Sequence, residues 1–149
     1  MSAALRLARP EDLDRLMGLV AAFHAEAGIE QDPDQRRDAL TPLLEGIPHG
    51  CIYLIGPSRA PLGYIILTFG WSVEFGGMDG FVDEIYIRPA IRGRGIATEV
   101  LLDLPKALAG AGLTALHLEV DRTNEAAHKL YLRTGFKPRD RYMLMSKTL

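Results

Sequence analysis

The sequence holds a single cysteine, Cys51, so no disulfide can close within the chain and a cysteine-rich metal site is excluded. Its four histidines, His24, His49, His117 and His128, stand at no metal-ligand spacing, and no metal is expected. No stretch approaches the ~18 consecutive apolar residues of a membrane span. The first residues lack the apolar core of a secretory signal, which leaves the cytoplasm as the expected compartment. Charge of either sign is not in excess: 17 Lys and Arg stand against 19 Asp and Glu, for a net charge of −2. That balance argues against a general nucleic-acid binder. No internal repeat or low-complexity segment interrupts the chain. What remains is ordinary globular material: 149 residues, 48% of them hydrophobic, enough for one domain over residues 1–149 with a sizeable core.

The stretch from Phe81 to Thr98 organises the rest. Phe81 to Ile87 is rich in β-branched and aromatic residues, which suit a pleated strand, and Pro89 ends it because proline cannot donate to a ladder. Arg92-Gly93-Arg94-Gly95 then opens an apolar helical pattern. The first amides of a helix lack internal partners and the helix dipole favours negative charge there. Glycine removes the Cβ that would hold a phosphate off the backbone. A phosphorylated ligand is therefore expected over Gly93 to Thr98.

The remaining elements follow from periodicity and punctuation. Leu5 to Ala8 reads as a short strand, and Pro10-Glu11-Asp12 starts a helix whose apolar stripe is Leu13, Leu16, Met17, Val20 and Phe23, with Gly28 as its stop. A second helix is expected over Gln35 to Glu45, with Pro42 as a blemish. Cys51–Ile55 and Leu62–Phe69 read as a hairpin around a Gly- and Pro-rich turn. Trp71 to Gly80 reads as a loop or a strand end bending over a site. A helix from Gly95 to Ala109 contains Pro105, which should kink or split it. Leu116–Val120 is a strand, Thr123 or Asn124 caps a final helix ending at Gly135, and Arg141–Lys147 reads as a last strand. A helix between two strands implies a parallel crossover, while the hairpin implies antiparallel neighbours. The expected fold is therefore α/β (α+β): a mixed, mostly antiparallel sheet with a parallel strand pair and helices on both faces.

Two phosphate-binding fingerprints fit poorly. The Walker pattern does not occur, and a dinucleotide loop would need glycine where Thr98 stands, directly after a strand, although Glu119 could imitate the ribose-binding acid. A third pattern fits. Arg92, Gly95 and Ala97 meet [RQ]-x-x-G-x-[GA], after the hydrophobic strand Ile85-Tyr86-Ile87. Leu118-Glu119-Val120, Asn124, Leu130-Tyr131 and Gly135-Phe136 follow as a strand, an Asn-led helix, a tyrosine and Gly-Phe. This half of the chain resembles the GNAT superfamily of acyl-CoA-dependent N-acetyltransferases, and Arg141-Tyr142-Met143-Leu144-Met145 resembles the last strand of several small-amine members.

The resemblance implies a splayed parallel strand pair with the pantetheine arm of acetyl-CoA in the gap, paired to the backbone of Ile85 and Ile87. It implies a pyrophosphate on the amides of Gly93, Arg94, Gly95, Ile96, Ala97 and Thr98, with charge from Arg92 and Arg94, and a contact from the Asn124 amide. Acetyl transfer to an amine also needs a base, because an amine of pKa ~10.4 is about one part in a thousand free at neutral pH. Asp83, Glu84 and Glu119 are the carboxylates at hand; Glu84 is favoured and Glu119 comes second, and in this family a water sometimes serves instead. Tyr131 would protonate the leaving thiolate. The chemistry is direct transfer, since no serine or cysteine is placed for a covalent route.

The acceptor is less legible. In this architecture its contacts come from the first helices and the strands before Phe81, which offer Phe23, Glu26, Glu30, Trp71 and Phe75, with His24, Asp32, Asp34 and Glu74 nearby in sequence. Acids with aromatics suit a cationic amine with an apolar stem, so a small-molecule amine, polyamine or amino acid is expected. Arg36 and Arg37 would equally suit an acceptor carboxylate. A peptide or protein acceptor, acyl groups other than acetyl, a homodimer and a non-catalytic acyl-CoA-binding module all stay open.

Overall fold

Several element ends are set by capping side chains or by glycine. In the computed structural model, which describes residues 4–149, β1 (Leu5–Leu7) leads through a 3-10 turn into α1 (Leu13–Ala27). Asp12 holds this entry: both its oxygens accept from the Arg6 guanidinium at 3.0 Å, and one accepts the Arg9 amide at 2.8 Å. Gly28, with φ 71°, ends α1 in the left-handed conformation. The second helix, α2 (Pro33–Leu44), starts two residues earlier than the apolar pattern predicts. Asp32 accepts the Gln35 amide at 2.9 Å in a capping box, and Pro33 occupies the first helical position, where a missing N–H costs nothing.

Then follow β2 (Gly50–Ile55), β3 (Gly63–Ser72), β4 (Gly77–Ile87), α3 (Ile96–Gly110), β5 (Ala115–Leu118) and α4 (Glu125–Arg133). The sheet runs in the order β1-β2-β3-β4-β5; the first three pairings are antiparallel and β4–β5 is parallel. The expected mixed sheet is therefore present. Trp71 to Gly80 combines the end of β3, a four-residue turn and the start of β4. It is the tip of the β3–β4 hairpin, with Ser72 opposite Gly77. One face of the sheet buries Ile52, Leu54, Tyr64, Ile66 and Tyr86 against Leu16, Leu19, Val20, Leu40 and Leu44 of α1 and α2. The alternate residues Ile65, Leu67 and Val82 are buried on the other face, and α3 buries Ile96, Val100, Leu101 and Leu104. Pro105 does not split α3, which continues through it to Gly110.

The chain forms two compact units, one ending at Glu119 and one from Val120 to Leu149. In the second, Asn124 caps α4 by accepting the Ala127 amide at 3.1 Å, and Gly135 takes φ 100° just past its end. The expected strand over Arg141–Lys147 is not formed. Tyr142, Met143, Leu144 and Met145 are 60%, 80%, 65% and 83% exposed, and their unit contains no strand for them to join. An apolar run is only half of a strand; the other half is a partner with open backbone groups.

Candidate active site

The register of β3 against β4 shifts once. Ile66 lies opposite Glu84 while Leu67 lies opposite Val82, so Asp83 is one extra residue in β4, a β-bulge. Bulges bend a strand and re-aim side chains. Glu84 turns toward α1 and is held at both oxygens. The Tyr64 hydroxyl donates to Oε1 at 2.7 Å, and Nε2 of His24 meets Oε2 at 2.7 Å. Tyr64 is fully buried and His24 nearly so, while the Glu84 side chain keeps 14% of its surface exposed. Burial, reinforced by the Glu84 charge and hydrogen bond, raises the Tyr64 pKa far above the usual tyrosine range, so the hydroxyl remains a donor. Asp83 opens to solvent on one side. The protein mass around its carboxyl raises its pKa first, the Glu84 and Glu119 charges add to this, and His24 acts against it.

Beyond the bulge, β4 loses a neighbour. Its pairing with β5 covers only Asp79 to Val82, and among the described residues no strand continues along that side. The Arg88 amide donates to Leu62 at 2.9 Å across the β3 side, and hydrogen bonding alternates along an antiparallel pair. Glu84 and Tyr86 therefore turn their backbone groups to β3, whereas Ile85 and Ile87 turn theirs to the side that β5 leaves. The Ile87 carbonyl accepts Nε of Arg92 at 2.8 Å. Arg92 also donates to Glu26 at 2.8 Å and lies 5.4 Å from the Tyr86 ring centroid, so this cation ties the C-terminal turn of α1 to the end of β4.

The glycine loop follows. Gly93 and Gly95 have φ 80° and 79°, a conformation that L side chains rarely adopt, and a Cβ on either would meet nothing within 4 Å. Backbone shape rather than crowding calls for glycine here, and the space above the loop is open. Gly95 is the N-cap of α3 and makes no side-chain cap hydrogen bond, so α3 starts on a bare glycine followed by the first-turn amides.

Glu119 lies exposed just past β5, and His117 of β5 is paired with Asp79 at 3.2 Å. In the second unit, burial raises the Tyr131 pKa, and its ring packs edge-on against Phe136 with centroids 6.0 Å apart. The Asn124 oxygen is committed to its cap, so its NH₂ is the part able to reach a ligand. Of the expected acceptor residues, Phe23 packs against His24 and Tyr86, and Glu26 is paired with Arg92. Glu30 is exposed beyond α1, while Trp71 and Phe75 are 76% and 39% exposed at the hairpin tip. Arg36 is buried and donates to the Gln31 carbonyl at 3.0 Å. Sequence reading did not single out His24 and Tyr64 as the residues that hold Glu84. The signal was available: His24 lies four residues after Val20 on the buried stripe of α1, and Tyr64 alternates with Ile66 on β3.

The sequence profile described as the acetyltransferase (GNAT) family matches residues 4–136. The chain belongs to the GNAT acetyltransferase family. An N-acetyltransferase of Bacillus subtilis strain 168, YycN, itself uncharacterized, is 35% identical over 71 residues, which are 48% of this chain and 44% of that protein. The acetyltransferase SG1711 of Sodalis glossinidius is 32% identical over 77 residues, 50% of this chain and 54% of that one. The matches thus span about half the length of these GNAT relatives. Among solved structures, an integron cassette protein from the mobile metagenome of Cole Harbour Salt Marsh is 33% identical, with a TM-score of 0.83 over 97% of this chain and 90% of that one. A possible acetyltransferase from Clostridium difficile 630 shares the fold at a TM-score of 0.83 and 21% identity, over 100% of this chain and 99% of that one. Among the described residues, no helix of this GNAT protein is long and apolar enough to cross a membrane.

Proposed function

We propose that residues 1–149 act as one acetyl-CoA-dependent N-acetyltransferase domain, working in the cytoplasm on a primary amine: a small-molecule amine, polyamine or amino acid. The observation that carries this reading is the side of β4 beyond Val82, where Ile85 and Ile87 direct backbone groups away from β3 and the open glycine loop follows within a few residues. An extended pantetheine arm can pair there as an added strand would. The amides from Gly93 to Thr98 suit a pyrophosphate at the start of α3, with Arg94 adding charge. Arg92 sets the loop by holding the Ile87 carbonyl and Glu26, which leaves the Ile87 N–H to face a thioester oxygen. One such donor is worth about 3 kcal/mol when oxyanion charge develops.

Bound acetyl-CoA supplies the activated acyl group. A new N–C bond forms at the acceptor nitrogen as the C–S bond breaks; the amine loses one proton and the thiolate gains one. Glu84 is the leading base, held rigid by His24 and Tyr64 and with one further lone pair on each oxygen for the amine or an intervening water. Glu119 is the second choice. Tyr131, kept protonated by burial, is the proton donor to the thiolate, and the Asn124 NH₂ is a contact to the CoA arm. The test is steady-state release of CoA across a panel of primary amines. Amine-dependent release supports the enzyme. Tight binding of CoA with no release for any amine would instead make the chain an acyl-CoA-binding module, and release with peptides alone would move the acceptor to that class.

A further inference from the structure

The sheet face that carries Glu84 continues past the bulge into a cleft of about 200 Å³ lined by Thr68, Gly70, Asp79, Phe81 and His117. Register places these residues on one face. Thr68 and Gly70 alternate with Tyr64 and Ile66 along β3, Phe81 and Asp79 lie opposite them on β4, and His117 lies beside Phe81 on β5. Asp79 stands at the far end. Its Oδ2 meets Nε2 of His117 at 3.2 Å, and the Phe75 ring closes edge-on over that imidazole at 5.1 Å. The other oxygen, Oδ1, lies above Gly70, where an added Cβ would sit only 3.2 Å away. The bare glycine is what keeps Oδ1 approachable from the cleft.

We infer that the acceptor is a linear polyamine, with its reacting primary amine at Asp83 and Glu84 and its distal ammonium on Asp79. This rests on the amine-acetyltransferase reading above. The β3 partners of Glu84 and Asp79, Ile66 and Gly70, are four residues apart, so the two acids stand at backbone positions about 13 Å apart at ~3.3 Å per residue. Between them the Phe81 ring offers an apolar surface to a methylene stem. A monoamine would engage neither Asp79 Oδ1 nor the far end of the cleft, leaving Asp79 with His117 alone.

The experiment measures kcat/KM for α,ω-diamines of increasing length against monoamines of the same length. A maximum in the diamine:monoamine ratio is expected where the nitrogens span about 13 Å. Asp79→Asn keeps shape and removes the charge, and should lower that ratio about tenfold, as expected for loss of a hydrogen bond to a charged group. Gly70→Ala places a methyl against Oδ1 and should lower it in the same sense. A flat length series, a ratio unchanged in both variants, or a lysine peptide preferred over every diamine would each overturn the inference. Failure to acetylate any amine would overturn the functional reading instead. Calorimetric titration of the 13 Å diamine into wild type and Asp79→Asn then decides the subsite, since equal or absent binding in both contradicts it.

Discussion

Replacing Tyr64 by phenylalanine isolates the bond that fixes Glu84. Tyr64 has no exposed surface, and the substitution removes one oxygen without opening a carbon-sized cavity. The lost donor served a carboxylate at 2.7 Å, an interaction worth about 1.5–3 kcal/mol. For a domain of this length each kcal/mol corresponds to roughly 2–4 °C in Tm. The pH dependence gives a second, independent reading. Burial and the Glu84 charge raise the Tyr64 pKa in the folded state, while in the unfolded chain it titrates near ~10. Below pH ~10 both states hold the proton, so the bond contributes in full. Above it the unfolded chain releases the proton and the folded one keeps it, so wild-type stability falls by about 1.4 kcal/mol per pH unit on account of this residue alone. Tyr64→Phe lacks that slope, and the other tyrosines cancel in the comparison. Denaturant melts at pH 7 and pH 11 should therefore show wild type ahead at pH 7, with its lead reduced by about 1.4 kcal/mol at pH 11. A difference under ~0.5 kcal/mol at pH 7, or a lead that does not shrink at pH 11, would refute the argument for a bond from the buried Tyr64 to the Glu84 carboxylate.

Substitutions at Gly95, Tyr131, Glu84 and Glu119 probe the site further. Gly95→Ala should cost about 1–2 kcal/mol because its φ of 79° strains any side chain, whereas Gly95→Asp should in addition abolish the thermal shift produced by CoA; a folded Asp variant that still responds to CoA would place the phosphates elsewhere. Tyr131→Phe should lower kcat by ~10–10³-fold with little change in the KM for acetyl-CoA, since its proton matters mainly in the transition state, and unchanged kcat would remove it from the chemistry. Glu84→Gln should lower kcat/KM at neutral pH with partial rescue as pH rises, because the free amine fraction grows about tenfold per unit. If Glu119→Gln shows that pattern and Glu84→Gln is silent, the base is Glu119.

Punctuation and local periodicity made most of the fold legible. Gly28 and Gly135 ended helices where positive φ was needed, and Asn124 capped α4 as its side chain allows. The errors arose where a signal depends on a partner. The run Tyr142 to Met145 is apolar enough for a strand but lies in a unit with no strand to join. Asp32 and Pro33 start α2 before its apolar stripe begins, so a reading led by hydrophobicity starts late. At the site, the glycine loop and the acids of β4 are local features and could be found by eye. The bulge at Asp83 could not, because it exists only in the register against β3. The same holds for His24 and Tyr64, 60 and 20 residues from the carboxylate they hold. Arg92 shows the opposite case: its type suited a phosphate, yet three neighbours already engage it.

The central claim is that this chain moves an acetyl group from sulfur to an amine nitrogen. Acetyl-CoA labelled with ¹³C at the carbonyl, incubated with the protein and a 13 Å diamine, tests it most directly, with the product followed by mass spectrometry and NMR. The account predicts one labelled amide per CoA released, formed at a primary amine and absent without protein. CoA release with no labelled amide, or label found only on the protein or on oxygen, would contradict it.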